Sequence, residues 1–157
     1  MANDIESDLA IVVTGAARVV ADRLGEAVRQ AGIEDMRPQF GFVIRALAER
    51  ERSLTELAEL LDVTKQAAIK VVDEMEARDF VVRVPDPADR RVKLLRLTDR
   101  GRRVRRAALA ASRGLERELR AQAGDDDVDA MRRALLALLE RHGTLADAAA
   151  GRSRAFW

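Results

Sequence analysis

The chain has no cysteine and no tyrosine, a single histidine, a single tryptophan and three prolines in 157 residues. Without thiols there is no disulfide, no thiol redox sensor and no thiolate metal site. The lone histidine, His142, falls on the seam of the last helix, where a packed residue is expected rather than a catalyst, and neither a glycine-rich phosphate loop nor a nucleophile motif is present. Catalysis is therefore not expected, and neither a cofactor nor a metal is called for. The acidic run Asp125, Asp126, Asp127 is consecutive, so its side chains fan around a helix start and favour the positive end of the helix rather than one ion. No run of about 18 apolar residues occurs, which excludes a membrane span. The acidic start MANDIESD lacks the basic and apolar regions of a secretory signal. The expectation is a cytoplasmic protein without membrane contact.

What is present is charge, unevenly placed. Hydrophobic residues make up 48% and charged residues 35%, the balance of a helix-rich domain with solvated outer faces. The net charge is only +1, yet residues 1–64 carry 7 basic and 12 acidic side chains, residues 65–106 carry 13 and 7, and residues 107–157 carry 8 of each. One central segment holds the positive field, the pattern of a localised anionic contact. Arginine outnumbers lysine 25 to 3, a bias that coding composition alone can produce, so location weighs more than abundance. All three lysines, Lys65, Lys70 and Lys93, fall in that segment.

Both ends of the chain read as helices with narrow apolar seams. From about Asp4 to Ala31, Ile5, Leu9, Val12, Ala16, Val19 and Arg23 recur at steps of 4, 3, 4, 3 and 4, with Leu24 beside the arginine and Gly32 as the stop. After Asp125 to Asp127, Val128, Met131, Leu135, Leu138, His142 and Leu145 step by 3, 4, 3, 4 and 3. Seams this narrow on long helices suit helix–helix packing. They predict a dimer in which Ile5, Leu9, Val12, Val128, Met131, Leu135, Leu138, His142 and Leu145 meet; an intrachain bundle is the competing use. His142 is expected as a packed or hydrogen-bonded seam residue.

The middle is shorter-grained. Pro38 suits the first position of a helix whose apolar face is Phe40, Val43, Ile44 and Leu47. Ser53 and Glu56 form a capping box that opens a helix through Leu61. Asp62 and Val63 make a turn, and Thr64 caps a helix to about Arg78. In that helix Ala68, Val71, Val72 and Met75 can face a core, while Lys65, Gln66, Ile69, Lys70 and Asp73 lie opposite. Ile69 either packs on a neighbour or, in a groove, meets a thymine methyl. Two β-like runs follow, Phe80 to Val84 and Val92 to Leu97, broken by Pro85-Asp86-Pro87. After Gly101 a long Arg- and Ala-rich helix is expected, with Val104, Ala108, Ala111, Leu115 and Leu119 on one face. Helix, helix, helix, hairpin is the order of a winged helix-turn-helix. The fold expected is mainly α with a small β-hairpin wing: a dimerisation helix over 1–35, a winged helix-turn-helix over 36–100, and a linker helix with a second dimerisation helix over 101–157.

These residues resemble the MarR family of bacterial transcription regulators. The family's wing signature, Asp-x-Arg, five residues, then Leu-Thr-x-x-Gly, is matched by Asp89-Arg90-Arg91 and Leu97-Thr98-Asp99-Arg100-Gly101. Upstream, SLTELAELLDVTKQAAIKVVDEMEARDFV is similar to the family's helix-turn-helix, and RPQFGFVIRALAE to the helix before it. The resemblance covers about residues 36–106; the terminal helices match in pattern only. Two positions depart from it. Asp79 stands where glycine is usual, although Asp tolerates a left-handed backbone. Ala67 stands where Ser or Thr is common, which removes a hydroxyl from the interface.

The resemblance implies a homodimer on a pseudo-palindromic double-stranded DNA operator, with a recognition helix in each major groove and a wing over each adjacent minor groove. On this chain that assigns Thr64, Lys65, Gln66, Ala67, Ile69 and Lys70 to the helix contact, and Asp89, Arg90, Arg91 and Lys93 to the wing. Arg91 would enter the minor groove, Asp89 would hold its guanidinium in place, and Arg90 would touch phosphate; the alternative is a salt bridge that only stiffens the hairpin. The resemblance further implies a repressor released by a small, often aromatic or anionic effector, for which Arg18, Arg37 and Arg45 are candidate carboxylate partners. Phe40 and Phe42 are expected in the core. The competing function is a winged-helix module for protein–protein contact, which needs no basic wing tip. The tail residues Phe156 and Trp157 would dock on a partner subunit or fray.

Overall fold

The computed structural model describes residues 8–142. Ile5, Leu145, Phe156 and Trp157 lie outside the described residues. The order of elements is α1 (Leu9–Gln30), α2 (Pro38–Glu49), β1 (Arg52–Ser53), α3 (Leu54–Leu60), α4 (Lys65–Ala77), β2 (Val81–Pro85), β3 (Lys93–Leu97), α5 (Asp99–Ala123) and α6 (Asp125–Arg141). The mainly α architecture with a small antiparallel wing is the one expected from the sequence.

Each helix of the central module starts where its caps say. Pro38 occupies the first turn of α2. The Ser53 hydroxyl accepts from the Glu56 amide at 3.2 Å, and the Glu56 carboxylate accepts from the Ser53 amide at 2.7 Å, closing the capping box on α3. Asp62, at φ +51°, turns the chain out of α3, and the Thr64 hydroxyl accepts from the Ala67 amide at 3.2 Å to start α4. The core beneath is built from α2 (Phe40, Val43, Ile44, Leu47), Leu57 of α3, Val72 and Met75 of α4, and Phe80, Val81, Leu95 and Leu97 of the sheet region. Phe40 and Phe80 meet with ring centroids 5.7 Å apart and planes tilted by 58°. Phe42, also expected inside, is half-buried.

The box has a pH signature. The Ser53 amide, the Arg50 guanidinium and the Ser53 hydroxyl hold the Glu56 carboxyl down at about 2. A depressed folded pKa stabilises above the unfolded value, near 4.5, and that stabilisation is lost as pH falls toward about 2. Ser53→Ala is expected to cost about 1 kcal/mol in urea denaturation at neutral pH. The stability difference between wild type and Glu56→Gln should shrink steadily as the buffer is taken below pH about 4.5. A difference unchanged by acid would mean that Glu56 is not bound by its cap.

Three details differ from the sequence-based expectation. A third strand, β1, pairs antiparallel with β3 (Arg52 opposite Leu95, Ser53 opposite Leu94), giving the sheet order β1-β3-β2. Second, α5 begins at Asp99, two residues before Gly101, because the Thr98 hydroxyl accepts from the Gly101 amide at 3.1 Å and caps the helix. Gly101 is thus inside the helix and buried. A side chain there would run into the backbone carbonyl of Phe80, so the glycine serves close packing. The Thr98 amide donates to that same Phe80 carbonyl at 3.1 Å, and its hydroxyl donates to the Asp79 carbonyl. Leu-Thr-x-x-Gly is therefore a joint that welds the base of the wing to the end of α4, where Asp79 takes the left-handed backbone at φ +57°. Third, Val128 is buried within the single chain, unlike the rest of the seam on α6.

The terminal helices both lean on α5. Arg23 of α1 reaches Glu118 at 3.4 Å, and Arg120 binds Glu116, Asp125 and Asp129 across the α5–α6 corner at Gly124. Neither helix is covered by this. Of the 22 residues of α1 only Val28 is buried, and of the 17 in α6 only Val128. Leu9, Val12 and Val19 on α1, and Met131, Leu135 and Leu138 on α6, are exposed, Leu9 at 74% and Leu138 at 53%. His142 is the exposed C-cap of α6.

Candidate nucleic-acid interface

The second helix of the pair divides by face. Ala68, Val72 and Met75 are buried and Val71 is half-buried. On the outside, Thr64, Lys65, Gln66, Ala67, Ile69 and Lys70 are all exposed. Ile69 keeps 38% of its surface, so it is not covered by a neighbour in the chain. The first two turns of α4 therefore present two ammonium groups, an amide and an aliphatic side chain with no carboxylate among them. The mixture suits a base edge: amide and ammonium donors for purine acceptors, a branched apolar group for a methyl.

The wing tip, residues 86–92, is tied by its own backbone. The Asp86 amide donates to the Val92 carbonyl at 3.0 Å, the Val92 amide to the Asp89 carbonyl at 2.8 Å, and the Ala88 amide to the Asp86 carboxylate at 2.8 Å. Asp89 then grips Arg91 at three points. Oδ1 accepts from the Arg91 amide at 3.0 Å and from Nε at 3.1 Å, and Oδ2 accepts from Nη2 at 3.2 Å. The Arg91 guanidinium, followed by its backbone amide, holds the Asp89 carboxyl below the usual aspartate range. Yet the Arg91 side chain is 92% exposed. A guanidinium fixed along one edge and open on the others is oriented in advance of any anion it meets. Arg90 and Lys93 are exposed beside it.

The wing and the helix are fastened together by a residue the sequence did not single out. Arg83 of β2 donates from Nη2 to Asp73 at 2.6 Å and from Nη1 to Glu76, both on α4. Its amide also reaches Glu76 at 3.4 Å. Only the strand register, with Arg83 opposite Leu95, turns this side chain onto α4, and no local pattern announces that.

The three arginines expected to hold an effector are not gathered. Arg18 lies on α1 beside Asp22, Arg37 immediately precedes α2 and pairs with Glu74 of α4 at 2.6 Å, and Arg45 is exposed on α2. None of them lines either of two surface clefts. The first, about 420 Å³, lies between the end of α2, β3 and the start of α5, lined by Leu47 and Leu97, by Arg50, Arg96, Arg102 and Arg105, and by Glu51, which is paired with Arg96. The second, about 410 Å³, lies between α1 and α5. Among the described residues no group of three or more His, Cys, Asp or Glu side chains is placed to hold a metal ion, and no helix is long and apolar enough to cross a membrane.

Residues 37–92 match the MarR family. Over 120 residues the chain is 28% identical to the exopolysaccharide II synthesis transcriptional activator ExpG of Rhizobium meliloti (strain 1021). The match takes in 76% of this chain but only 61% of that protein's length. The crystal structure of RV1404 from Mycobacterium tuberculosis superposes with a TM-score of 0.69 at 26% identity, covering 85% of this chain and 94% of that one. The transcriptional repressor CouR, bound to a 23-mer DNA duplex, superposes with a TM-score of 0.63 at 26% identity, covering 86% and 94%. CouR from Rhodococcus jostii RHA1 bound to p-coumaroyl-CoA gives a TM-score of 0.59 at 26% identity, covering 85% and 93%.

Proposed function

We propose that this chain, whose residues 37–92 match the MarR family, is a winged-helix regulator of that family that binds a pseudo-palindromic DNA operator in the cytoplasm as a homodimer and represses transcription until a small ligand releases it. One observation carries the DNA reading: the outward row Lys65, Gln66, Ile69 and Lys70 stands free of acid on a helix tied directly to a wing whose tip is a braced arginine. The bare α1 and α6 supply the reason for a dimer, since a monomer rarely leaves so long an apolar surface to water. In that dimer Leu9, Val12, Met131, Leu135 and Leu138, exposed in the single chain, would meet at the subunit contact, while Val128 is already buried within the chain. Repression has a precedent in CouR, and ExpG, an activator, shows the opposite sign among relatives. For the ligand, the cleft lined by Leu47, Leu97 and several arginines is a candidate site for an amphipathic anion, which would compete with Glu51, Glu56 and Asp99 for Arg96, Arg50 and Arg102.

The deciding experiment is selection of duplex DNA by the purified protein from a random pool, followed by a reporter carrying the selected site. A two-fold symmetric site bound by a dimer, with reporter expression lowered, is the expected result. Recovery of no preferred site would remove specific DNA binding and leave a protein–protein module.

On that site, Lys70→Ala is expected to lose roughly 1–3 kcal/mol of discrimination at one base pair per half-site if Lys70 reads a base. Affinity measured on a panel of single-base variants checks this. Equal loss on every variant would place Lys70 on phosphate, and unchanged affinity would take it out of the interface.

A further inference from the structure

The recognition helix α4 is, by its own charges, the wrong sign for DNA. It carries Lys65 and Lys70 against Asp73, Glu74 and Glu76, and all three carboxylates sit in its second half. Every one of them is met by an arginine from elsewhere. Glu74 takes Arg37 at 2.6 Å, with Arg78 at 3.9 Å. Asp73 and Glu76 share the single guanidinium of Arg83. The Arg83 side chain is 30% exposed and lies between two carboxylates that keep 58% and 37% of their own surface. A planar fork can serve two acceptors at once in a way an ammonium point charge cannot.

We propose that Arg83 is a positioning residue for DNA binding, which draws Asp73 and Glu76 onto one guanidinium and offsets one of their two negative charges on the recognition helix. This rests on the DNA-binding reading above. Its electrostatic content follows from the layout. Without Arg83 the group formed with Asp73 and Glu76 goes from net −1 to net −2, one more uncompensated negative charge per subunit on the recognition helix, felt over the screening length of about 8–10 Å at moderate salt. Arg83 is turned onto α4, so it acts through these carboxylates, without touching DNA.

The test uses the full chain and a duplex that the wild-type protein selects. Arg83→Gln is expected to weaken binding at least about fivefold at low ionic strength, with the deficit shrinking as salt screens the exposed carboxylates. Adding Asp73→Asn and Glu76→Gln to that variant should bring affinity back to that of the wild type or above it, because the group's net charge is then 0 against −1 in the wild type. If Arg83→Gln binds as wild type does, or if the neutralised triple variant stays as weak as Arg83→Gln, the inference is overturned; the second result would mean that Arg83 acts by something other than offsetting these carboxylates. Should circular dichroism show Arg83→Gln to be unfolded, Asp73→Asn/Glu76→Gln with Arg83 intact decides instead. Its amides still accept the arginine's hydrogen bonds, so tighter binding than wild type is expected, and weaker binding would overturn the inference. A wild-type protein that selects no duplex removes the DNA reading itself, whereas selection with an unaffected Arg83→Gln removes only the role of Arg83.

Discussion

Changing Leu135 and Leu138 together to glutamate is expected to yield a folded monomer that no longer holds an operator. Both side chains are exposed in the single chain, at 39% and 53%, so a carboxylate at either place meets water and leaves the chain's own core intact. In a dimer the same positions lie in the seam. Burying a leucine contributes about 1.5–3 kcal/mol, and each substitution occurs twice, so the dimer loses several such contributions and gains unpaired charges. The operator then faces one recognition helix at a time. Loss of the second, tethered contact reduces avidity by about 10²–10⁴. Sedimentation at micromolar concentration should give twice 17.4 kDa for the wild type and 17.4 kDa for the variant, with helical circular dichroism retained. A variant that remains dimeric and binds normally would place the dimer contact elsewhere, and a folded wild-type monomer would dispose of the seam altogether.

The local part of the fold was legible because local chemistry sets it. Pro38, Ser53 with Glu56, and Thr64 each satisfy or dispense with backbone donors at a helix start, and the helices begin there. The start of α5 was also written in the sequence, since Thr98 followed by Asp99 is a cap signal. Reading Gly101 as punctuation hid it, when the glycine is needed for contact with Phe80. The strand β1 was invisible because two residues carry no periodicity, and only the β3 register recruits them. Arg83 was missed for the same reason. Its partners lie 7 and 10 residues away, on a different element, and a strand arginine looks solvent-facing until the hairpin is laid across the helix. Arg37 illustrates the converse: a surface arginine that looked free for a ligand is engaged with Glu74. Val128 fits the seam's spacing perfectly well, and only the packing of α6 near its corner with α5 shows that it is used inside the chain.

Arg91→Ala is expected to lower operator affinity by at least about a hundredfold, since a charged hydrogen-bonded contact contributes about 1.5–3 kcal/mol and a dimer loses two. The fold should not notice, because the side chain is 92% exposed at a hairpin tip and its guanidinium bonds Asp89 alone among the described residues. Removing one phosphate-type contact per wing should also flatten the slope of log affinity against log salt by about 0.9 each, near 2 for the dimer. Asp89→Ala separates two physical effects that pull in opposite directions. Deleting a carboxylate beside DNA strengthens binding by simple charge. Deleting the three hydrogen bonds that hold Arg91 releases its side chain, so the guanidinium must be ordered at the moment of binding. The brace also supports the loop itself through the Arg91 amide, so its loss loosens the tip as well as the side chain. Orientation should win, and Asp89→Ala should bind more weakly, most of all where A·T-rich flanks narrow the minor groove and demand an exact approach. The measurement is a salt series for both variants on one selected operator, with circular dichroism and sedimentation as controls. Tighter binding by Asp89→Ala together with normal binding by Arg91→Ala would reduce the Asp89–Arg91 pair to a stiffener of the hairpin, and the minor groove would have to be read by other residues or left unread.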